Sequence, residues 1–262
     1  MVFAIFIVIM KKDDPIIESV QNSHIVACAK LQQKKYRDET GTFAFEGIKL
    51  YNEAAAAGIS IEEVFVTPSA RDTVDLSRAK NVRLVSDRVY SKISGETAPQ
   101  GVFTVAKKPV GKPLDADRIL ILDSVADPGN TGAVLRSARA FGFGFVAFCG
   151  DSCDPFNPKA VRAAMGATFR VPFAQYKDTA AFVKELAERG FRVHAAVCDG
   201  DEILGNCRFE GKNAFVIGNE GHGISDAVLE ACTDTVTIPM KGETESLNAS
   251  VAASIIMWEA AK

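Results

Sequence analysis

From residue 119 onward the chain repeats one pattern: a short run of β-branched and other apolar residues, then a stretch with helical periodicity. The apolar runs fall at 119–122, 145–148, 193–197, 215–217 and 236–238, and the helical stretches at 131–141, 158–165, 178–189, 225–231 and 247–260. Strands that are apolar without alternation are buried on both faces, and strands separated by helices run parallel. The pattern predicts an α/β domain whose parallel sheet is covered by helices on both sides. Ligands in such sheets sit beyond the carboxyl ends of the strands. The loops at 123–130, 198–200, 218–223 and 239–248 are therefore where chemistry is expected.

Residues 15–108 read as a smaller α/β domain. An amphipathic helix is predicted over 19–37, a turn at 39–41, a strand at 42–45, a helix at 46–57 closed by Gly58, and strands at 64–66, 82–85 and 102–105. The lysine, proline and glycine of 107–113 mark a linker, placed at 109–116, ahead of a second domain at 117–262. Residues 1–14 read as an N-terminal extension with Met10 as the expected true start. Their apolar run precedes Lys11 and Lys12 instead of following positive charge, and no small-residue cleavage site ends it, so export is not expected.

With 262 residues, 47% of them hydrophobic, and no apolar run near the ~20 needed to cross a bilayer, a soluble globular chain is expected. The net charge of −3 means that any affinity for nucleic acid must come from local patches. Six scattered cysteines suit a reducing cytoplasm, and neither they nor the three histidines have zinc-site spacing, so no metal is expected. Gly218, Gly221 and Gly223 have the wrong order for a dinucleotide fingerprint, and Gly111-Lys112 runs into proline instead of completing a phosphate loop. Dehydrogenases and NTPases are disfavoured.

Three segments remain. Residues 122–139 read as a strand end, a turn and a helix start, with Arg136 and Arg139 sharing a helix face where two guanidiniums make either a phosphate site or a solvated surface. Residues 215–225 break a buried strand into the loop Gly218-Asn219-Glu220-Gly221-His222-Gly223, whose glycines let a ligand approach the backbone. Residues 238–253 lead a strand through a polar loop to the final helix, which Ser246 or Asn248 caps.

Together these segments resemble the SpoU/TrmH family of SPOUT RNA 2′-O-ribose methyltransferases. Asn130, Gly132, Ala133, Arg136 and Ala138 match its first motif, Gly218 to Gly223 its second, and Ile238-Pro239 with Ser246-Leu247-Asn248 its third, in order. Lys30-Leu31, Lys34 to Arg37 and Phe45-Glu46-Gly47 resemble the family's ribosomal-protein-like substrate-binding domain. The resemblance implies a C-terminal SPOUT domain with a deep trefoil knot, working as a homodimer. It implies S-adenosylmethionine held by Val197, Gly218, Asn219, Gly221, Ile238, Met240 and Leu247, and an arginine at position 136 that works at the partner's cofactor. The expected substrate is structured RNA, ribosomal in preference to transfer, with a non-catalytic RNA-binding protein as the alternative.

Transfer of a sulfonium methyl to a ribose hydroxyl needs alignment and help with one proton. A guanidinium is a poor base at neutral pH. Arg136 is therefore expected to clamp phosphate and stabilise developing negative charge, while Asn130, Glu220, Ser246 and Asn248 orient the hydroxyl and loops, with Glu220 the candidate proton acceptor. Lys30, Lys34, Lys35 and Arg37, with Arg139, form the expected RNA contact.

Overall fold

The computed structural model describes residues 15–109, 115–242 and 246–262. Among the described residues the chain forms two compact units, the first of 15–109 with Phe156–Arg162, the second of 115–155 with residues from Ala163 on. The extension expected over 1–14 and the linker residues 110–114 lie outside the described residues.

The first unit runs α1 (Ser23–Lys30), α2 (Lys34–Thr40), β1 (Thr42–Glu46), α3 (Ile48–Ala56), β2 (Ile61–Val66), β3 (Val82–Leu84), α4 (Asp87–Ile93) and β4 (Val102–Lys107). Its sheet has the order β1-β4-β2-β3, antiparallel except for the β2–β3 pair. Alternation along β2 sends Phe65 to one face, against Ile25 and Cys28 of α1 and Val89 and Ile93 of α4. Val64 and Val66 go to the other face with Tyr51 of α3.

The helix expected over 19–37 is two helices. Leu31 ends α1, and Arg37, 2% exposed, returns its guanidinium to the Leu31 and Gln32 carbonyls at 2.8 and 2.9 Å. Carbonyls released by the break thus gain a charged donor from the next helix. Gly41, at φ +63°, closes α2 in the left-handed conformation.

The second part of the chain runs β5 (Arg118–Asp123), α5 (Pro128–Phe141), β6 (Phe145–Cys149), α6 (Pro158–Ala163), β7 (Phe173–Tyr176), α7 (Thr179–Glu188), β8 (Arg192–Ala196), β9 (Glu202–Ile203), β10 (Asn213–Ile217), α8 (Asp226–Leu229), β11 (Asp234–Thr237) and α9 (Ala249–Ala260). Most of α6 belongs to the first unit. The seven strands of the second unit have the order β7-β6-β5-β10-β8-β11-β9, parallel throughout. Both faces are covered, as unbroken apolar strands require. Leu120, Leu122, Phe215 and Ile217 meet α5 and α9, while Ile119, Ile121, Ala214 and Val216 meet α7 and α8. The short strands β7 and β9 were not foreseen. β7 is a half-buried edge of four residues behind Pro172, and β9 has two residues, too few for periodicity to register.

One consequence of the strand order places the site. β5, β10, β8 and β11 are successive neighbours, so the loops leaving their carboxyl ends meet although they are up to about a hundred residues apart in sequence.

Candidate active site

At those strand ends lies a cavity of about 350 Å³, within the range of small-ligand sites. All three segments after β8, β10 and β11 contribute. Val197 comes from the first, Gly218, Asn219, Glu220 and Gly221 from the second, and Ile238, Met240, Ser246 and Leu247 from the third. The structure thus brings together every residue expected to hold the cofactor, with Glu220 and Ser246 beside them. Ala196, Val236, Thr237 and Ala252 also line the wall; as ordinary strand and helix residues they carry no sequence signal of a site.

The loop after β10 is built by its own backbone. Asn219 and Gly223 exchange N–H···O=C bonds at 3.0 and 2.9 Å, and the Asn219 side-chain oxygen accepts from the Gly221 and His222 amides. A Cβ at Gly218 would stand 2.4 Å from the Gly223 carbonyl carbon, so the loop closes only around glycine there. The Asn219 amide also donates to the Ser124 carbonyl at 2.8 Å, tying the β10 loop to the end of β5. Ser124 holds φ +59°, uncommon for a residue with a Cβ, and this conformation was not legible in the sequence.

The Asp127 side chain caps α5 by accepting from the Asn130 amide at 2.7 Å, and Pro128 opens the helix. Asn130 is only 8% exposed, and its side-chain amide donates to a Glu220 carboxylate oxygen at 2.7 Å. This hydrogen bond joins the first motif to the second. Asn130 sits behind Glu220, and the cavity lining includes Glu220 but not Asn130, Arg136 or Asn248.

Asn248 is the cap of α9. Its side-chain oxygen accepts from the Ser250 and Val251 amides and from the Ser250 hydroxyl, as helix geometry asks of an N-cap. Arg136 stands exposed on α5 and makes no hydrogen bond or ion pair among the described residues. Arg139 is exposed in the last turn of the same helix.

The fit of the cavity to S-adenosylmethionine rests on its walls. Val197, Val236, Ile238 and Leu247 line the same cavity as the polar glycine loop, a combination suited to a ligand with a flat heteroaromatic part and a charged part.

The basic cluster of the first unit differs from expectation at one residue. Arg37 is buried on backbone carbonyls, so it is withdrawn from the surface patch and serves the α1–α2 junction instead. Lys34 pairs with Asp38 at 2.7 Å and Lys35 with Glu39 at 3.9 Å, while Lys30 and Lys35 lie over the Tyr36 ring at 5.4 and 5.8 Å.

Residues 117–258 match the SpoU rRNA Methylase family, and residues 22–104 match the MRM3-like substrate binding domain. The chain is 31% identical over 242 residues to the 23S rRNA (guanosine(2553)-2′-O)-methyltransferase RlmP of Bacillus subtilis, covering 92% of this chain and 97% of that protein. It is 32% identical over 221 residues to the 23S rRNA (guanosine-2′-O-)-methyltransferase RlmB of Ralstonia nicotianae, covering 78% of this chain and 88% of that one. Among solved structures, the AdoMet-bound rRNA methyltransferase of Sinorhizobium meliloti superposes with a TM-score of 0.85 at 29% identity, over 94% of this chain and 97% of its own.

Proposed function

We propose, from the premise that the chain belongs to the SpoU rRNA methylase family, that it uses S-adenosylmethionine to methylate a ribose 2′-hydroxyl in ribosomal RNA. The observation that carries this reading is the cavity at the ends of β8, β10 and β11, where Val197, Gly218, Asn219, Gly221, Ile238, Met240 and Leu247 line one wall system. These residues hold the cofactor, which supplies an electrophilic methyl on a good leaving group.

What the protein adds is position and charge. Glu220 lies on the cavity and takes the hydroxyl proton, and Asn130, donating to its carboxylate, keeps that oxygen in place. Ser246 orients the incoming nucleotide, and Asn248 acts through the start of α9 that it caps. Arg136 has no partner among the described residues and clamps the phosphate beside the target ribose, stabilising negative charge as it develops on the oxygen.

Because Arg136 is absent from its own cavity lining, it serves the cavity of a second copy. A homodimer is also favoured by α9, where Val251, Ile255 and Trp258 are spaced as one helical stripe and stay exposed, Trp258 at 55% with Phe141 of α5 against its ring. The trefoil knot implied by the family resemblance belongs to this same reading. Lys30, Lys34 and Lys35, without Arg37, give the first unit its RNA contact, and Arg139 gives the second unit one of its own.

Incubation of unmodified 23S rRNA with methyl-labelled S-adenosylmethionine, followed by nuclease digestion and mass spectrometry, tests the reading. Label on a ribose is expected. Label on a base, or none, overturns it, and label appearing only on transfer RNA reassigns the substrate.

A further inference from the structure

Apart from the active site, the first unit carries a cavity of about 260 Å³ between β2, α4 and the segment before β4. Thr67, Ser69, Thr73, Asp87, Ser91 and Gln100 line it, and no lysine or arginine among the described residues does. Its frame is tightly built. The Thr67 amide donates to the Gly101 carbonyl at 3.0 Å, and a Cβ at Gly101, φ +74°, would lie 2.3 Å from the Thr67 hydroxyl.

The hydrogen-bond inventory of the lining selects its ligand. The Thr73 hydroxyl donates to the Ala70 carbonyl at 2.6 Å and the Ser91 hydroxyl to the Asp87 carbonyl at 2.9 Å, so both present lone pairs to the cavity. Asp87 is exposed and its carboxylate has no ion-pair partner among the described residues. Gln100 accepts from the Ile48 amide through its side-chain oxygen at 3.0 Å, which leaves its NH2 group as the donor. The Thr67 and Ser69 hydroxyls share one hydrogen bond at 3.0 Å, which leaves one of their protons as a second donor. An acceptor-rich cavity with a carboxylate on its wall and no cation in its lining among the described residues disfavours phosphate. It suits a ring that offers N–H groups beside a carbonyl.

The rim has the opposite character. Asp87, Tyr90 and Ser91 share one side of α4, and Arg88 and Lys92, one position on from Asp87 and Ser91, follow around the helix without carboxylate partners among the described residues. A neutral-to-acidic hollow flanked by free cations matches a nucleotide, with the base in the hollow and phosphates on the rim.

We infer that this cavity holds an unpaired, guanine-like nucleobase of the substrate RNA, at a point separate from the methylated nucleotide. The inference rests on the RNA reading above and deepens it. The sign of one variant separates base recognition from bulk charge. Removing a carboxylate from a surface that faces RNA tightens binding if only phosphate attraction matters. Asp87→Asn weakens it if the carboxylate receives base N–H groups.

The test uses the full-length protein and unmodified 23S rRNA transcribed in vitro. Ser69→Trp, filling the cavity, is expected to raise the Kd at least tenfold, as loss of one recognised base does. Asp87→Asn is expected to raise it severalfold. Both keep the wild-type melting temperature, S-adenosylmethionine affinity and kcat at saturating RNA. Ultraviolet crosslinking is expected to place a nucleotide adduct on a peptide within 67–73 or 87–101. Unchanged Kd for Ser69→Trp, or equal or tighter binding by Asp87→Asn, overturns the inference while wild-type ribose methylation leaves the function standing. Wild-type protein that methylates no RNA ribose overturns both.

Discussion

The two units treat similar side chains in opposite ways. In the first, the Glu46 carboxylate accepts from the Tyr90 hydroxyl, the Ser94 hydroxyl and the Gly95 amide, and Arg37 is spent on two backbone carbonyls. In the second, Glu220 has one side-chain donor, Asn130, and lies on a cavity, while Arg136 has no partner among the described residues. A charged group whose hydrogen bonds are complete holds a fold together. One left incomplete beside a cavity is available to a substrate.

Exchanging the two kinds of perturbation gives the largest effects. Glu220→Gln is expected to lower single-turnover methyl transfer by about 10²–10⁴, and Arg136→Ala by about 10²–10³, each with urea unfolding unchanged. Arg136→Lys keeps charge without the fork; near-normal turnover in that variant removes the clamp. Arg37→Ala is expected to do the reverse, costing about 3 kcal/mol in urea unfolding because two carbonyls lose a charged donor. A loss of activity in Arg37→Ala without loss of stability would erase the contrast.

Trp258→Glu tests whether the second unit completes its arginine's partnership through another copy. Sedimentation is expected to shift from dimer to monomer, with transfer falling alongside, because a charge cannot be buried in an apolar seam. A monomer with full activity would place Arg136 at its own cavity.

Burial of thiols sharpens the comparison at smaller scale. Desolvation pushes Cys28 in the first unit, and Cys149 and Cys232 in the second, up to about 12. Each stays a neutral thiol while the unfolded chain's thiols ionise from about pH 9, so stability falls as pH rises from about 9 toward 12. Alkylation at pH 8, mapped by mass spectrometry, is expected to spare these three and to mark Cys198, which is exposed on the cavity wall, more slowly when S-adenosylmethionine is present. The smallest effect belongs to the lysines. Replacing Lys34 or Lys35 is expected to lower the salt slope of RNA binding by about 1 each, less if their Asp38 and Glu39 partners already screen them.

How far the sequence could be read follows the same division. The parallel sheet was legible because strands buried on both faces need apolar residues at every position, as at 119–122 and 215–217. The loops of the candidate site were legible because a glycine cluster or polar run after such a strand has no place in a core. Arg37 was misread because lysines and arginine on an amphipathic pattern look alike whether they face water or turn inward onto freed carbonyls. The break at 31–33 escaped for a related reason: its stabilising guanidinium lies in the following helix, beyond any local period. Asn219 was expected at the cofactor for its place in the motif, and it does line the cavity. Its three side-chain hydrogen bonds, however, are spent shaping the loop and tying it to Ser124. Nothing in the order of residues distinguishes those two employments.

The order β5-β10-β8-β11 has a bearing on how the protein is made. Since the pocket's last wall comes from residues beyond 245, this cavity does not exist until Ser246, Leu247 and the start of α9 have docked beside β8 and β10. Ligand capture then reports on assembly of the whole strand order, and stabilisation by mass action reaches only molecules in which that assembly is complete.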